Sequence, residues 1–558
     1  MYLAPISTTL LTLALIGAMP PDSAVAADPP GRVGRVSYVM GSVSFRPGGS
    51  DQWVPASLTY PLTTGAELWS NTDARAEAHV GSSAVRLGPR TLVDFLDVSD
   101  HDTQLRLTRG RLYLRVPRLT KGESYEIDMP TGTVSLLDAG TYRIDVAQDG
   151  EGSTITVRNG RADITSRGVT VPVHSGESLT ITGLGLPLSG PMVAVSIDDW
   201  ETWAASRDLL EDRSLSLRYV SPELVGFESL DQYGTWQVDE EFGAAWIPTA
   251  SAGWAPYRFG AWSWVAPWGW TWVDDAPWGF APFHYGRWTL LENRWAWVPG
   301  DRADVPFYAP ALVEFLGGAG FDLSLSVGND GAVAWFPLAP GEIYLPPFRV
   351  TEDYIREINV PVVTIKNVDL SKIDVTKVAY RNRSLSGAVT VVSRETFVSG
   401  EPVSKAVLRM PASTLAKTTV IGAAAPIAPD RHQSLPRTMA RSAARPPAAA
   451  LNRSVVTRRS ASASPSSSGG GQQVHPESHT SQTGGNQNGN ADQQRQLERQ
   501  QVLSRQAAER AALELRQQSE LGSLRTPDAI QQAQQRHAGE QGALAQRHQA
   551  ELQRFNRR

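Results

Sequence analysis

The sequence predicts a mainly β chain: an antiparallel β-sandwich or β-roll domain, then a domain of repeated β-hairpins, then a disordered or helical tail. Three observations predict it. Charged residues are only 20% of the 558, while glycine numbers 48 and proline 38, the profile of short strands joined by many turns. Between residues 31 and 185, apolar residues recur at period two between glycine-centred breaks. Between Tyr233 and Trp297 lie twelve of the 17 tryptophans, in a pattern that repeats every 26 residues.

Charge and cysteine content narrow the function classes. The formal net charge is −5, but the stretch from Pro436 to the end has 17 Arg, no Lys and 9 acidic residues, which leaves −13 for residues 1–435. The part able to fold therefore lacks the basic footprint of a nucleic-acid binder. With no cysteine, disulfides, thiolate nucleophiles and cysteine-held zinc are excluded. Leu10 to Met19 is an uncharged apolar run too short to span a bilayer, and Ala24-Val25-Ala26 follows as a small-x-small site. Residues 1–27 are thus expected to be a signal peptide cleaved after Ala26 or Ala27, with a buried N-terminal strand as the other reading. The mature chain is expected in the periplasm or cell envelope of a bacterium, with no transmembrane segment.

The first domain, 31–185, alternates runs such as Val33–Val39, Ser42–Phe45, Gln104–Thr108, Leu112–Val116, Ile155–Val157 and Ala162–Thr165 with glycine turns. Leu105 and Leu107, then Leu112, Leu114 and Val116, sit at period two across Arg109-Gly110, which predicts a half-buried hairpin. Four motifs follow in order: Met129-Pro-Thr-Gly-Thr-Val134, Ala139-Gly-Thr-Tyr142, Val157-Arg-Asn-Gly160-Arg-Ala-Asp-Ile164 and His174-Ser-Gly-Glu-Ser-Leu179. In these the stretch resembles the periplasmic domain of the FecR family of iron-dicitrate sensor regulators. That resemblance implies an exported β module that contacts other envelope proteins. In the family a cytoplasmic segment and a membrane span precede the domain; here only the signal peptide stands in that place.

A helical connector is expected over 190–222. Ile197 to Glu211 carries Trp200, Trp203 and Leu210 on one helical face, and Ser196 with Asp199 reads as a capping box.

The repeat occupies 223–310. Tyr233-Gly-Thr-Trp236, Phe259-Gly-Ala-Trp262 and Tyr285-Gly-Arg-Trp288 are spaced by 26 and 26; Trp246-Ile247, Trp272-Val273 and Trp297-Val298 by 26 and 25. Gly253-Trp-Ala-Pro256-Tyr257 matches Gly279-Phe-Ala-Pro282-Phe283 at 26. Each unit reads as an aromatic-Gly-x-Trp strand, a turn and a second aromatic strand. Trp268, Trp270 and Trp272 would share one sheet face, as would Trp295 and Trp297. Gly234, Gly260 and Gly286 would leave room for a ring or a backbone against the strand.

Twelve indoles at about 200 Å² each amount to roughly 2,400 Å². Exposing a third together would make a patch of about 800 Å², beyond the few hundred usual for soluble monomers. Most rings must be core. A core with a few exposed rings is the other reading, and Trp254, Tyr257, Trp262, Trp268, Trp278 and Tyr285 are its candidate ligand-binding residues, for a sugar face or a protein partner.

The segment from Tyr219-Val-Ser-Pro-Glu-Leu224 onward, with Tyr308–Phe315, Trp335-Phe-Pro-Leu338, Pro340–Tyr344, Tyr380-Arg-Asn-Arg383 and Gly387–Val391, is similar to an exported Trp-rich domain of unknown function. On that resemblance the domain continues through 311–405. Residues 410–490, rich in Ala, Pro, Ser, then Gly and Gln, are expected to be a disordered linker. In the Gln/Arg-rich tail, 491–558, apolar residues are too sparse for a heptad seam, so a fraying or partner-induced helix is expected rather than a stable coiled coil.

No motif carries catalysis. The nine histidines show no His-Glu-x-x-His spacing, no Gly-x-Ser-x-Gly elbow is present, and no phosphate-binding Gly-x-x-x-x-Gly-Lys loop occurs. His284 reads as an edge residue of the repeats, and Asp198-Asp199, Glu240-Glu241 and Asp274-Asp275 as helix-start and turn residues. The expectation is a non-enzyme without cofactor or metal, acting as an interaction or scaffolding protein on other envelope proteins. The alternative is binding of cell-wall or capsule polysaccharide.

Overall fold

The structure is a computed structural model. It describes residues 28–457 apart from 184–191, 252, 303–304, 318–330, 361, 363–369, 416, 428–434 and 440, together with single helical residues between 513 and 550. The signal-peptide region and most of the tail lie outside the described residues.

From Gly34 to Val193, 17 strands form two sheets that share one strand. The first sheet runs Pro61–Leu62, Gly34–Met40, Arg75–Val80, Ser83–Leu87, Asp102–Val116, Gly140–Val146, Gly152–Asn159, Glu177–Thr182 and Met192–Val193. The second runs Val54–Pro55, Val43–Arg46, Ala66–Ser70, Thr91–Val98, Asp102–Val116, Ser124–Met129, Gly132–Leu136, Arg161–Ser166 and Val169–His174. All pairs are antiparallel except Ser124–Met129 on Asp102–Val116. Leu68, Val93, Leu105, Leu112, Ile144 and Ile155 fill the core between the layers.

The shared strand corrects the hairpin expected across Arg109-Gly110. Asp102–Val116 is one continuous 15-residue strand. Its first half pairs with Thr91–Val98, and from Gly110 onward it pairs with Gly140–Val146. Gly110 has φ +96, and a Cβ there would meet the Thr91 Cα at 2.5 Å. A glycine at positive φ can bend a strand from one sheet to another as well as reverse it, and period-two apolarity is the same in both cases.

The connector helix spans Asp199–Asp212, and Asp198 caps it by accepting from Glu201 N at 2.9 Å. The cap is therefore Asp198, not the Ser196–Asp199 box. Leu210 points outward, 62% exposed, while Trp200, Ala204, Glu201 and Glu211 are buried. Trp200 and Trp203 pack on Tyr113 and Tyr38 as expected, while Leu210 does not, because the rest of the docking face is charged.

Three hairpins follow: Gly234–Asp239 with Gly243–Pro248, Gly260–Val265 with Gly269–Asp274, and Arg287–Leu291 with Arg294–Val298. The first and third join edge to edge through Trp246 opposite Trp297; the second forms its own two-stranded sheet. Trp268 precedes its strand, so only Trp270 and Trp272 share the face expected for all three. The Gly-x-Ala-Pro links differ in backbone: the second copy makes one helical turn, Ala281–His284.

A last sheet has the order Thr390–Ser393, Ala332–Pro337, Val313–Gly317, Thr419–Gly422. Its final strand lies in the stretch expected to be disordered. So does a strap, residues 435–456, that returns to the first sandwich: Ala443 N donates to Trp53 O at 3.1 Å and Val456 N to Met129 O at 2.9 Å. Composition registered few apolar residues there, yet this segment needs little burial of its own because it lies on surfaces already built.

Candidate functional site

The repeated unit is built around one local device. In each hairpin two tryptophans face each other across the strands: Trp236 and Trp246, Trp262 and Trp272, Trp288 and Trp297. In each, the second indole lies over the glycine that opens the unit. A Cβ on Gly234 would meet Trp246 Cζ2 at 2.5 Å, on Gly260 Trp272 Cζ2 at 2.7 Å, and on Gly286 Trp297 Nε1 at 2.6 Å. The indole N–H groups then find acceptors: Trp246 at Leu230 O, Trp272 at Asp274 Oδ2, Trp288 at Pro282 O and Trp297 at Tyr285 O.

The six candidate ligand-binding residues belong to this core. Tyr257, Trp262, Trp268, Trp278 and Tyr285 are at most 6% exposed, and Trp254 is half-buried. Most pack edge-on or tilted against other rings, as Trp262 does with Trp272 and Trp335, and Trp268 with Tyr308, while Trp278 stacks on the buried Phe283; they do not lie coplanar along a groove. Tyr257 spans the units, donating to Phe283 O at 2.8 Å and accepting from Leu312 N at 3.0 Å. His284, expected at an edge, is fully buried; Nδ1 lies 2.8 Å from Ala309 O, and burial lowers its pKa to about 4. Beside it a small cleft of about 30 Å³ opens among Tyr219, Leu224, Tyr285, Pro299 and Phe307.

A second site has no counterpart among the sequence candidates. Where the first sheet of the sandwich meets the connector helix and the start of the Trp-rich domain, charged groups are buried together. Glu77 accepts from Arg86 Nε and Arg207 Nη2, each at 2.6 Å, and from Ser37 Oγ at 2.7 Å. Arg86 reaches Asp208 at 2.5 Å and Glu211 at 2.7 Å on the helix. His79 stands between Glu211 at 3.2 Å and Glu228 at 3.4 Å, and Arg35 pairs with Glu228 at 2.9 Å. Three segments distant in sequence are thus fixed by one set of ion pairs.

The electrostatics are mutually dependent. Burial alone would lower the His79 pKa, but Glu211 and Glu228 outweigh it and push it up to about 10. Burial would raise Glu228, yet Arg35 and His79 bring it down to about 2; Arg86 and Arg207 likewise hold Glu77 well below the usual carboxylate range. Ligand atoms of Glu77, His79 and Glu211 lie within 4.8 Å of one another, as a metal site would require. The donor set does not fit one, because guanidinium groups already occupy those carboxylates. Sequence held a faint signal: Glu77 and His79 are two apart on one strand face, and Arg86 is the cross-strand partner of Glu77.

Further contacts join the domains. Thr59 Oγ1 donates to Asp274 O at 2.7 Å, and Tyr308 N donates to Gly31 O at 2.8 Å. Of the acidic pairs, Asp274 is a buried turn residue accepting from Ala276 N at 2.9 Å, and Glu241 pairs with Arg381 at the surface. Elsewhere Glu314 is buried with both carboxyl oxygens unpartnered. Burial and the nearby Glu342 push its pKa up to about 8 against Arg287.

A two-layer β module clamped by charge to a Trp-rich β domain is an architecture suited to an interaction or regulatory role. Residues 66–163 match the family described as FecR protein, and residues 227–342 match DUF6600, a family of unknown function. Two crystal structures of a candidate anti-sigma factor from Parabacteroides distasonis align at 14% and 11% identity. Each alignment covers 33% of this chain and 99% of that chain, with a TM-score of 0.21. No curated protein matches the chain. The FecR match supports a regulatory or interaction role. Among the described residues no helix is long and apolar enough to cross a membrane.

Proposed function

We propose that this chain is a non-catalytic, exported envelope protein of a bacterium that presents its FecR-like module to other envelope proteins from a fixed Trp-rich base. The observation that carries this reading is the buried ion-pair junction of Glu77, His79, Arg86, Glu211 and Glu228. Buried pairs of this kind add little net stability over apolar packing, but an unmatched partner is costly, so they hold one relative orientation. A fixed orientation is of use to a protein that positions a binding surface. Burial of five of the six candidate aromatic rings favours a protein partner over a polysaccharide.

The test has two arms. A photo-reactive amino acid at exposed Val169 or Val193, on the outer strands of the two sheets, is expected to give discrete protein adducts in living cells. Peptidoglycan and capsule fragments are expected to leave the tryptophan emission of the purified chain unchanged. Saturable quenching by such fragments, with no protein adducts, would overturn the reading in favour of glycan binding.

A further inference from the structure

The strap that returns to the sandwich occupies a surface with the parts of a peptide-binding groove. Ala450 is fully buried in an apolar cluster with Trp53, Trp69 and Leu92, and Leu451 packs against its edge. Arg46 lies over the Trp53 ring at 6.0 Å and Arg109 over Trp69 at 5.6 Å, so the walls are aromatic rings backed by guanidinium groups. Three residues on, Arg453 enters a slot made of main chain. Its Nη1 donates to Thr108 O at 2.7 Å and its Nη2 to Gln148 O at 3.2 Å, over Gly150, where a Cβ would meet Arg453 Nε at 2.6 Å. The two ends are tied by backbone: Ala443 N to Trp53 O, and Val456 N to Met129 O as an antiparallel bridge.

Two features mark the strap as an occupant rather than as part of the sandwich. It arrives from a distant part of the chain: Arg453 lies 345 and 305 residues after the carbonyls that hold it. Among the described residues Arg453 bonds only to carbonyls and no salt bridge anchors it; the neighbouring Arg109 has its pKa lowered by burial and, after that, by the Arg453 charge. The strap makes one helical turn at Ala448–Leu451, which sets Ala450 into the pocket, and is held at its ends by main-chain bonds and in the slot by one arginine; end-to-end backbone ties with pockets for single side chains are how short peptides are recognised on β modules.

We propose that the FecR-like module carries a recognition groove for a proline- and alanine-rich segment with an arginine three residues after the buried alanine, and that residues 443–456 fill it in cis. A tethered segment competes at an effective concentration near millimolar, so a free segment of the same chemistry binds only when the strap is released. This rests on the reading of the chain as an interaction protein, and names the surface involved.

The experiment uses the full chain and a fluorescent peptide of residues 443–457, followed by anisotropy. In a chain carrying Ala450→Asp and Arg453→Ala, which empty the pocket and the slot, the peptide is expected to bind at least tenfold tighter than to the wild type. The same peptide with its own Arg453→Ala is expected to bind at least tenfold more weakly. Should the double variant lose its cooperative melt, Val456→Pro, which deletes only the bond to Met129, takes its place, again with a gain in peptide affinity expected. Unchanged peptide affinity in a folded strap variant, or an Arg453→Ala peptide that binds as well as the parent, overturns the groove. Either result leaves the in-cell cross-linking at Val169 and Val193 as a separate test of the envelope role.

Discussion

Replacing Gly260 by alanine is expected to destabilise the Trp-rich domain by about 3 kcal/mol, the upper end of the range for overpacking a core. Gly260 does not need a left-handed backbone, and at such a site Gly→Ala ordinarily stabilises by about 0.4–1 kcal/mol. Here the sign is reversed by one ring together with the main chain of the facing strand. The new methyl carbon would lie 2.7 Å from Trp272 Cζ2 and 2.9 Å from Asp274 Cα, and would also press on Val273 O. Favourable carbon contacts lie at about 3.5–4.0 Å, so the overlap is close to 1 Å. Trp272 cannot retreat: it is fully buried, tied to Asp274 Oδ2 at 3.0 Å and set edge-on to Trp262 and Tyr257. The assay is the urea midpoint read by tryptophan emission, with Gly243→Ala as reference. Gly243 has φ +71 and open space around it, so only the left-handed backbone penalty of about 1–2 kcal/mol applies. Combining Gly260→Ala with Trp272→Phe, which shortens the ring, is expected to cost less than the sum of the two. A Gly260→Ala chain as stable as the wild type would refute the ring-over-glycine account of the repeat.

Arg86→Met leaves Glu77 and Glu211 buried beside fewer cations and is expected to cost about 3–5 kcal/mol by urea denaturation, whereas Leu210→Ser should stay within about 0.5 kcal/mol of wild type. In the same helix Trp200→Ala, which empties a buried site against Tyr113, should cost about 3 kcal/mol in thermal melts. The raised pKa of Glu314, about 8, means that its folded form holds a proton the unfolded chain releases near pH 4.5. Stability is then lost as pH rises from about 4.5 to 8, by at most on the order of 5 kcal/mol, and Glu314→Gln should remove that part of the slope in melts at pH 5 and pH 9. Glu228 has the opposite sign: its stabilisation is present above its ordinary pKa and is lost as pH falls toward about 2, so Glu228→Gln should flatten the acid limb.

How much was legible follows from what each signal measures. The hairpins were readable because glycine, tryptophan and spacing repeat together, and each repeated residue has one local job. The strands of the first module were readable from period two, but the path between them was not, as Gly110 shows. The connector helix was found, with Trp200 and Trp203 on its docking face as expected, but its cap and Leu210 were misassigned, and the charged docking by Glu201 and Glu211 was not foreseen. The area of twelve indoles already required most rings to be core, as five of the six aromatic candidates are, but it could not single out which rings stay exposed. Of the ionic junction only the local pattern of Glu77, His79 and Arg86 was in the sequence; the partners on the connector helix lie more than 120 positions away, and pairing of that range leaves no local trace. The strap was missed for the same reason: its surface is supplied by residues far upstream.

The strand that belongs to both layers has a mechanical meaning. At about 3.3 Å per residue its 15 residues form a rod of roughly 50 Å. A load applied at the rim of one layer reaches the other along covalent bonds instead of through side chains able to slip. The two layers should therefore yield together under tension, as one breaking event and not two.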